Sequence, residues 1–89
     1  MDNELVIGDI VVSQSGHDKN RPFIVVGIDK CGYLAIIDGR YREKNRPKLK
    51  NPKHLIKVGH DDEIINKINS PISTDTEIYK MIKVYKVKE

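Results

Sequence analysis

A run of cationic side chains at residues 40–57 is the part of this sequence best suited to chemistry. The run, RYREKNRPKLKNPKHLIK, holds eight of the chain's sixteen Lys and Arg residues and one of its thirteen acids. Its formal charge is therefore +7, whereas the rest of the chain, with eight basic and twelve acidic residues, carries −4. Guanidinium and ammonium groups at this density bind phosphate oxygens. We call residues 40–57 the basic segment, and its composition predicts a surface for a polyanionic ligand.

Residues 15–22, SGHDKNRP, form a second stretch rich in turn-forming and hydrogen-bonding side chains. This composition favours a loop, on which Lys19, Arg21 and His17 place two to three basic groups. The loop either contacts the same polyanion as the basic segment or is a plain hairpin turn. A lone loop histidine is more often solvated than bound to phosphate.

Tyr41 lies between Arg40 and Arg42. A tyrosine in that position can stack on an unpaired base, as aromatic side chains do in proteins that bind single strands. It can equally pack along the surface of the fold. The sequence leaves both interpretations open.

No arrangement of side chains in the sequence is typical of an active site or a metal centre. His54 and His60 lack the helical spacing of a zinc-binding pair, and Cys31 is the only cysteine. The three acids at residues 61–63 precede an apolar run, where acids complement a helix dipole. We therefore expect a protein that is not an enzyme and that uses no metal and no cofactor.

Length and composition are typical of one small domain. The chain has 89 residues, of which 38% are hydrophobic and 33% charged, so a small core should lie beneath a heavily charged surface. The first residues, MDNELVIG, lack the basic start and apolar centre of a secretory signal. No apolar run approaches the roughly 20 residues that span a bilayer. We expect a cytoplasmic protein with no membrane partner.

Three closely spaced apolar runs predict an antiparallel sheet. Residues 6–14 have the pattern of a first strand interrupted by Gly8, and residues 23–28 that of a central strand that is apolar on both faces. Residues 33–37 follow as a third strand. The turns between these runs are too short for a crossover helix, so the strands should form a meander.

The basic segment is expected to continue this sheet irregularly. Pro47 and Pro52 exclude a continuous helix and cannot donate to a sheet ladder. Residues 48–50 and 54–58 are predicted to form short edge strands around a turn, with the lysines facing water. Four apolar side chains should anchor them: Leu49, Leu55, Ile56 and Val58.

Two short helices are predicted after residue 60. The acids at 61–63 begin the first, and Pro71 ends it. Thr74 and Glu77 have the spacing of a capping box at the start of the second. An apolar stripe follows at positions i, i+3, i+4 and i+7, namely Ile78, Met81, Ile82 and Tyr85. We expect residues 1–59 to form the sheet domain and residues 60–89 a helical extension packed on it.

Residues 10–29, IVVSQSGHDKNRPFIVVGID, resemble a KOW motif, in which a loop of G-x-D-x-G type joins two apolar strands. The loop here is Gly16-His17-Asp18-Lys19-Asn20, with Asn20 where the motif has its second glycine. Asparagine is enriched in left-handed backbone among non-glycine residues, so it replaces a left-handed glycine at least cost. With YLAIIDG and part of the basic segment, residues 6–58 resemble the barrel of a large-subunit ribosomal protein family (the L14e/L27e type).

The resemblance implies a small SH3-like (KOW-type) barrel and does not cover the C-terminal helices. With the two short helices predicted above, the expected fold is mainly β. The resemblance also implies an RNA-binding protein, a ribosomal or ribosome-associated component that contacts ribosomal RNA and has ribosomal proteins as possible neighbours. The loop and the basic segment supply the expected RNA-binding residues: Gly16, His17, Lys19, Asn20, Arg21, Arg40, Tyr41, Arg42, Lys44, Arg46, Lys48, Lys50, Lys53 and Lys57.

Other interpretations remain open from the sequence. The apolar helix stripe and an open sheet edge also suit a protein-interaction module in a transcription or translation complex. The basic segment also suits duplex DNA, an acidic protein or lipid partner, or a merely solvated surface. The oligomeric state is not indicated by any pattern in the chain.

Overall fold

The computed structural model describes residues 4–14 and 20–85. In those residues the fold is mainly β, as predicted. Its strands and helices are β1 (Asp9–Ser13), β2 (Pro22–Ile28), β3 (Leu34–Ile37), β4 (Lys48–Lys50), β5 (Leu55–His60), α1 (Asp62–Ile68) and α2 (Asp75–Ile82). Single 3-10 turns, Pro52–His54 and Lys83–Tyr85, precede β5 and follow α2.

The five strands form one antiparallel sheet in the order β4-β3-β2-β1-β5. The first three strands pair as a meander, as predicted. β4 extends this meander, and β5 returns to pair with β1. Within the described residues the sheet is open, and β4 and β5 are its two edges. Both were predicted as edge strands, but they lie at opposite edges and do not pair with each other.

The two helices pack on one face of the sheet. The core on that face joins isoleucines from three strands and both helices: Ile10, Ile24, Ile37, Ile64, Ile78 and Ile82. All six are almost completely buried. The predicted stripe of α2 therefore faces the sheet, with Met81 and Tyr85 partly buried against the same cluster.

The opposite face carries a second core. It consists of Val11, Phe23, Val25, Leu34, Ile36 and Leu55, with Leu5 packed against it. No helix residue belongs to this cluster. Because Phe23 and Val25 point to the second core and Ile24 to the first, β2 is apolar on both faces and buried on both, as the sequence predicted.

The first strand is shorter than predicted. It begins at Asp9 rather than at residue 6, and Val6 and Ile7 are exposed. Gly8 is the cause, because its φ of 100° is left-handed and incompatible with an extended strand. Its amide still donates to the Val25 carbonyl at 2.9 Å, so the chain bends while staying beside β2.

The predicted anchors of the basic segment are wrong at three of four positions. Leu55 is buried, but Leu49, Ile56 and Val58 are 56%, 49% and 38% exposed. Within the described residues, each edge strand has a neighbouring strand on one side only, so apolar side chains there need not be covered. The register between β1 and β5 also shifts between Ile10 and Val11. Such a bulge ends the regular alternation along the edge strand.

The starts of both helices agree with prediction. Asp61 caps α1, its side chain accepting from the amides of Glu63 and Ile64. At α2, the Thr74 hydroxyl accepts from the Glu77 amide, and the Glu77 carboxylate accepts from the Thr74 amide, each at 3.2 Å. The predicted capping box is therefore confirmed, and two otherwise unsatisfied donors are bonded.

Asp9 is a buried carboxylate held by a network of donors. Its Oδ1 lies 2.7 Å from His60 Nδ1 and 3.3 Å from Lys57 Nζ, and its Oδ2 accepts from the Val6 amide at 2.9 Å. His60 Nε2 lies 2.8 Å from Asp62 Oδ1. Burial alone would raise the pKa of Asp9, but the three donors hold that pKa below its ordinary value. Hydrogen bonds to Asp9 and Asp62 raise the pKa of His60.

This network predicts a stability maximum in mildly acidic solution. The raised pKa of His60 contributes stability below its ordinary value of 6.5, and this is lost as the pH rises through the folded value. The lowered pKa of Asp9 contributes stability above 3.8, and this is lost as the pH falls through its folded value. Urea unfolding across the pH range should therefore show the free energy of unfolding falling between pH 6.5, the ordinary pKa of His60, and its higher folded pKa.

His60→Gln should flatten that alkaline fall, because the side chain no longer titrates. The exposed His54 lies outside this network, so His54→Gln is the matched control and should retain the fall seen in the wild type. An unchanged profile in His60→Gln would show that the network does not link protonation to folding.

Candidate nucleic-acid interface

The first residues of the basic segment are presented by a tight turn at the end of β3. Asp38 is 2% exposed, and its Oδ1 accepts from the amides of Arg40, Tyr41 and Arg42 at 2.8 to 2.9 Å. Gly39 has a φ of 81° and donates its amide to the Arg42 carbonyl at 3.0 Å. The buried Asp38 carboxylate thus stabilises the turn through its backbone amides. The side chains of Arg40, Tyr41 and Arg42 point outward and are exposed.

Cations and aromatic rings alternate across this surface. The Arg21 guanidinium lies 4.3 Å from the centroid of the Tyr41 ring, and that of Arg40 lies 5.2 Å from the same ring. The Arg40 guanidinium also lies 5.6 Å from the centroid of the Tyr79 ring, and Lys83 Nζ lies 5.7 Å from the same centroid. These separations are within the range of cation–π attraction. We call the five side chains the cation–aromatic row.

The row joins the end of the predicted loop to the start of the basic segment. Arg21 Nη1 lies 4.0 Å from Asp38 Oδ2, beneath the turn that carries Arg40 and Tyr41. The backbone of Asn20 is left-handed, with a φ of 66°, which is the conformation in which asparagine best replaces glycine. Gly16, His17 and Lys19 lie outside the described residues. The described end of the loop and the first residues of the basic segment therefore face the same side of the molecule.

A recess of about 300 Å³ opens at the cation–aromatic row. Its other lining residues are Pro22, Asp38 and Ile82. Arg40 Nη1 donates to the Tyr79 hydroxyl at 3.3 Å. This bond is the main cause of an Arg40 pKa above its ordinary value, and the electrostatic effect of Tyr41 and Tyr79 adds to it. An arginine is charged at neutral pH in any case, so the role of the bond is to hold the guanidinium beside the rings.

Lys44 is engaged within the fold. Its Nζ donates to the Ser73 carbonyl at 3.0 Å and lies 3.2 Å from the Ser73 hydroxyl. Its amide donates to Asp75 Oδ1 at 2.8 Å. These bonds connect the basic segment to the start of α2. The side chain of Lys44 therefore stabilises the packing of these two parts, whether or not it also contacts a ligand.

The remaining cations of the basic segment lie in three places. Arg42 and Arg46 line a second recess of about 360 Å³ together with Tyr41 and Glu43, beside the cation–aromatic row. Lys48 and Lys50 follow on β4 and are half-buried.

Lys53 and Lys57 lie at the other edge of the sheet. They line a separate recess of about 530 Å³ with Glu4 and Gln14. Lys57 also pairs with the buried Asp9 at 3.3 Å, which offsets its charge. The predicted residues therefore do not form one continuous surface, and the part centred on Arg40 and Tyr41 is the most cationic and aromatic.

Tyr79 and Lys83 are members of this surface that the sequence analysis missed. Each follows directly after a residue of the apolar stripe, Ile78 or Ile82. When the stripe packs on the sheet, Tyr79 and Lys83 therefore lie at the side of the helix, next to the packed face. Their i, i+4 spacing places an aromatic ring next to a cation, and that signal was available in the sequence. What the sequence could not show is that this flank meets Arg40.

No family model and no curated protein sequence matches this chain. Among the described residues, no group of three or more His, Cys, Asp and Glu side chains is placed to hold a metal ion. In the same part of the chain, neither helix has the length and apolarity needed to cross a bilayer.

Proposed function

We propose that this protein binds RNA, with the cation–aromatic row and the adjoining Arg42 and Arg46 as its contact surface. The observation that carries the proposal is the meeting of Arg21, Arg40 and Tyr41 on one exposed surface, from two regions of the sequence. Arginine binds phosphates through a planar fork of donors and also stacks on bases. Tyr41, 60% exposed, adds an aromatic surface of the kind used for unpaired bases.

The fold proposed for this function is a KOW-type, SH3-like barrel. The strand order, in which β5 returns to β1, brings the last strand beside the first as in a closing sheet. Val11, Phe23 and Val25 are completely buried on a face where neither described helix packs, which is the burial expected where a sheet curls around its own core. Register shifts at Ile10/Val11 and Val25/Gly27 supply the bends.

The biological target proposed from the resemblance is ribosomal RNA, in the cytoplasm, with the protein as a ribosomal or ribosome-associated component. Support comes from the left-handed Asn20, which fits the glycine position of the KOW loop. Crosslinking to RNA in cells, followed by sequencing of the bound fragments, tests this part. Recovery of fragments dispersed over messenger RNA would contradict a ribosomal target.

The RNA contact should be electrostatic and therefore sensitive to salt. For about six phosphate contacts, the logarithm of the affinity should fall with the logarithm of the salt concentration at a slope of about −4. Replacing Arg42 and Arg46 by glutamate removes two contacts. This should reduce the slope to about −3 and weaken binding about 25-fold near 0.1 M salt, because each contact accounts for about 0.7 of the slope.

Lys30 and Lys67 provide a control with the same change of charge. They are exposed, in the β2–β3 turn and in the last turn of α1. Lys30→Glu with Lys67→Glu should weaken binding much less than the arginine pair, in fluorescence anisotropy with a structured RNA. Equal losses in the two double variants would show that net charge, rather than this surface, determines binding.

A protein-interaction module is the second candidate, favoured by the apolar side chains on the open edge β5. Ile56 and Val58 are exposed there, next to a strand edge with free pairing capacity on its outer side. Purification from cells with and without ribonuclease discriminates the two. Partners retained after ribonuclease treatment would favour this candidate.

A further inference from the structure

The recess at the cation–aromatic row has two contributors from the end of the chain. Tyr79 and Lys83 come from α2 and the turn after it, whereas Arg40 and Tyr41 come from the turn after β3. Tyr79 is half-buried, yet it is not among the side chains packed against the isoleucine core. Its ring faces Arg40 and Lys83. Because Tyr79 lines the recess, a ligand that enters the recess can contact this ring.

We propose that this recess holds one unpaired nucleotide of the RNA, with the base against the ring of Tyr79 and the phosphate at Arg40 and Lys83. This inference rests on the proposed function, which it deepens by naming the part of the RNA recognised. It predicts a preference for RNA with a bulged or looped nucleotide over fully paired RNA.

The size of the recess limits the ligand to a single nucleotide. Its volume of about 300 Å³ is at the lower end of the roughly 300–1,000 Å³ found for small-molecule sites. A base stacked within an A-form helix cannot reach rings that line such a recess. An unpaired nucleotide turned outward can do so.

The charge of the recess selects an anion. Among the described residues of its lining, Arg21, Arg40 and Lys83 bring three positive charges, against the single carboxylate of Asp38. That carboxylate is already bonded through Oδ1 to three amides of the turn. The surplus of positive charge suits a phosphate group.

The apolar part of the lining distinguishes a nucleotide from a simple anion. Two tyrosine rings together with Pro22 and Ile82 provide a surface for a flat, weakly polar ring. Stacking of a base on an aromatic side chain is worth about 1–3 kcal/mol, as measured by replacing that side chain. A bare phosphate gains nothing from these groups.

The test compares two RNA hairpins that differ by one nucleotide. One hairpin is fully paired and the other carries a single bulged 2-aminopurine, whose fluorescence falls when it stacks. The wild-type protein, in low salt, should bind the bulged hairpin more tightly and quench its fluorescence. Tyr79→Leu should weaken binding to the bulged hairpin about 5- to 150-fold and abolish the quenching. Its binding to the paired hairpin should stay within about twofold.

Two further variants test whether the loss of binding in Tyr79→Leu comes from lost stacking. One keeps the aromatic ring at residue 79, and the other removes a tyrosine elsewhere on the surface. Tyr79→Phe keeps the ring and should keep the preference and the quenching, although it loses the 3.3 Å bond from Arg40. Tyr33 is an exposed tyrosine at the other end of β3, so Tyr33→Leu should change neither hairpin's affinity. If Tyr79→Phe lost as much as Tyr79→Leu, stacking would not be the cause and the inference would be overturned.

The outcomes for the wild type distinguish this inference from the proposed function. Equal affinity for both hairpins, without quenching, would overturn the nucleotide recess and leave RNA binding intact. Binding of neither hairpin in low salt would overturn the proposed function and the recess with it.

Discussion

Replacing Gly39 by alanine should destabilise the protein by about 2–5 kcal/mol. A Cβ built on Gly39 would lie 2.5 Å from the Asp75 carbonyl oxygen and 2.6 Å from the Tyr79 amide nitrogen, both in the backbone of α2. The residue also has a left-handed φ of 81°, which costs L-amino acids about 1–2 kcal/mol. The helix would have to move away from the turn, and Tyr79 from Arg40. Urea unfolding and RNA affinity measure the two consequences.

Gly32 provides the control for the backbone component of this effect. Its φ is 86°, almost the same, but a Cβ built there meets no atom within 4 Å among those described. Gly32→Ala should therefore cost only about 1 kcal/mol and leave RNA binding unchanged. If the two alanine variants were equally stable, α2 would not be seated on the Gly39 turn as the structure has it.

Replacing Asp38 by alanine should destabilise the protein by about 2–4 kcal/mol and also disorder the turn that presents Arg40, Tyr41 and Arg42. Three amides would lose a charged acceptor in a site that is 2% exposed. Hydrogen bonds to charged groups contribute about 1.5–3 kcal/mol each when buried, and less where water can replace them. We expect RNA binding to fall even in conditions where the variant is fully folded.

Two variants locate the origin of that loss. Asp38→Asn keeps an acceptor oxygen for the turn and should cost about 1 kcal/mol. Asp29 performs a similar task in the exposed β2–β3 turn, where its Oδ1 accepts from the amides of Cys31 and Tyr33 at 2.9 Å. Asp29→Ala should cost about 1 kcal/mol and spare RNA binding. A loss of binding in Asp29→Ala equal to that in Asp38→Ala would contradict a local effect.

The parts of the fold that depend on local pattern were predictable from the sequence. The all-apolar run of β2 indicated a strand buried on both faces, and Thr74 with Glu77 indicated the start of α2, because a capping box needs only neighbours in the chain. The antiparallel meander followed from short turns. Each of these features is set within about ten residues.

The edges of the sheet were harder to predict because burial there depends on distant parts of the chain. Leu55 and Ile56 are both apolar, yet the first joins the second core and the second is exposed. Their register against Ser13 and Val12 decides this, and no local pattern encodes it. Val58 is the unpaired residue of the bulge, which interrupts the alternation on which the prediction of an anchor depended.

The candidate site was predictable in part. Arg40, Tyr41 and Arg42 were identified by charge and by the aromatic residue between cations, whereas Tyr79 was assigned to a helix that merely packs. The bond between Arg40 and Tyr79 joins residues 39 positions apart. Only the docking of α2 brings these groups together, and docking depends on isoleucines from three strands and two helices.

The pairing of β5 with β1 has a consequence for the order in which this protein folds. Every other ladder joins strands adjacent in the chain, but Asp9 and His60 meet across 51 positions. Long-range pairing forms slowly, because the chain loses the entropy of loop closure before the stabilising contacts are made. β5 should therefore be the last strand to pair during folding. It should also be the first to separate during unfolding, because it lies at an edge of the sheet and its ladder contains a bulge. The buried charge of Asp9 acquires its His60 and Lys57 partners only in that final step.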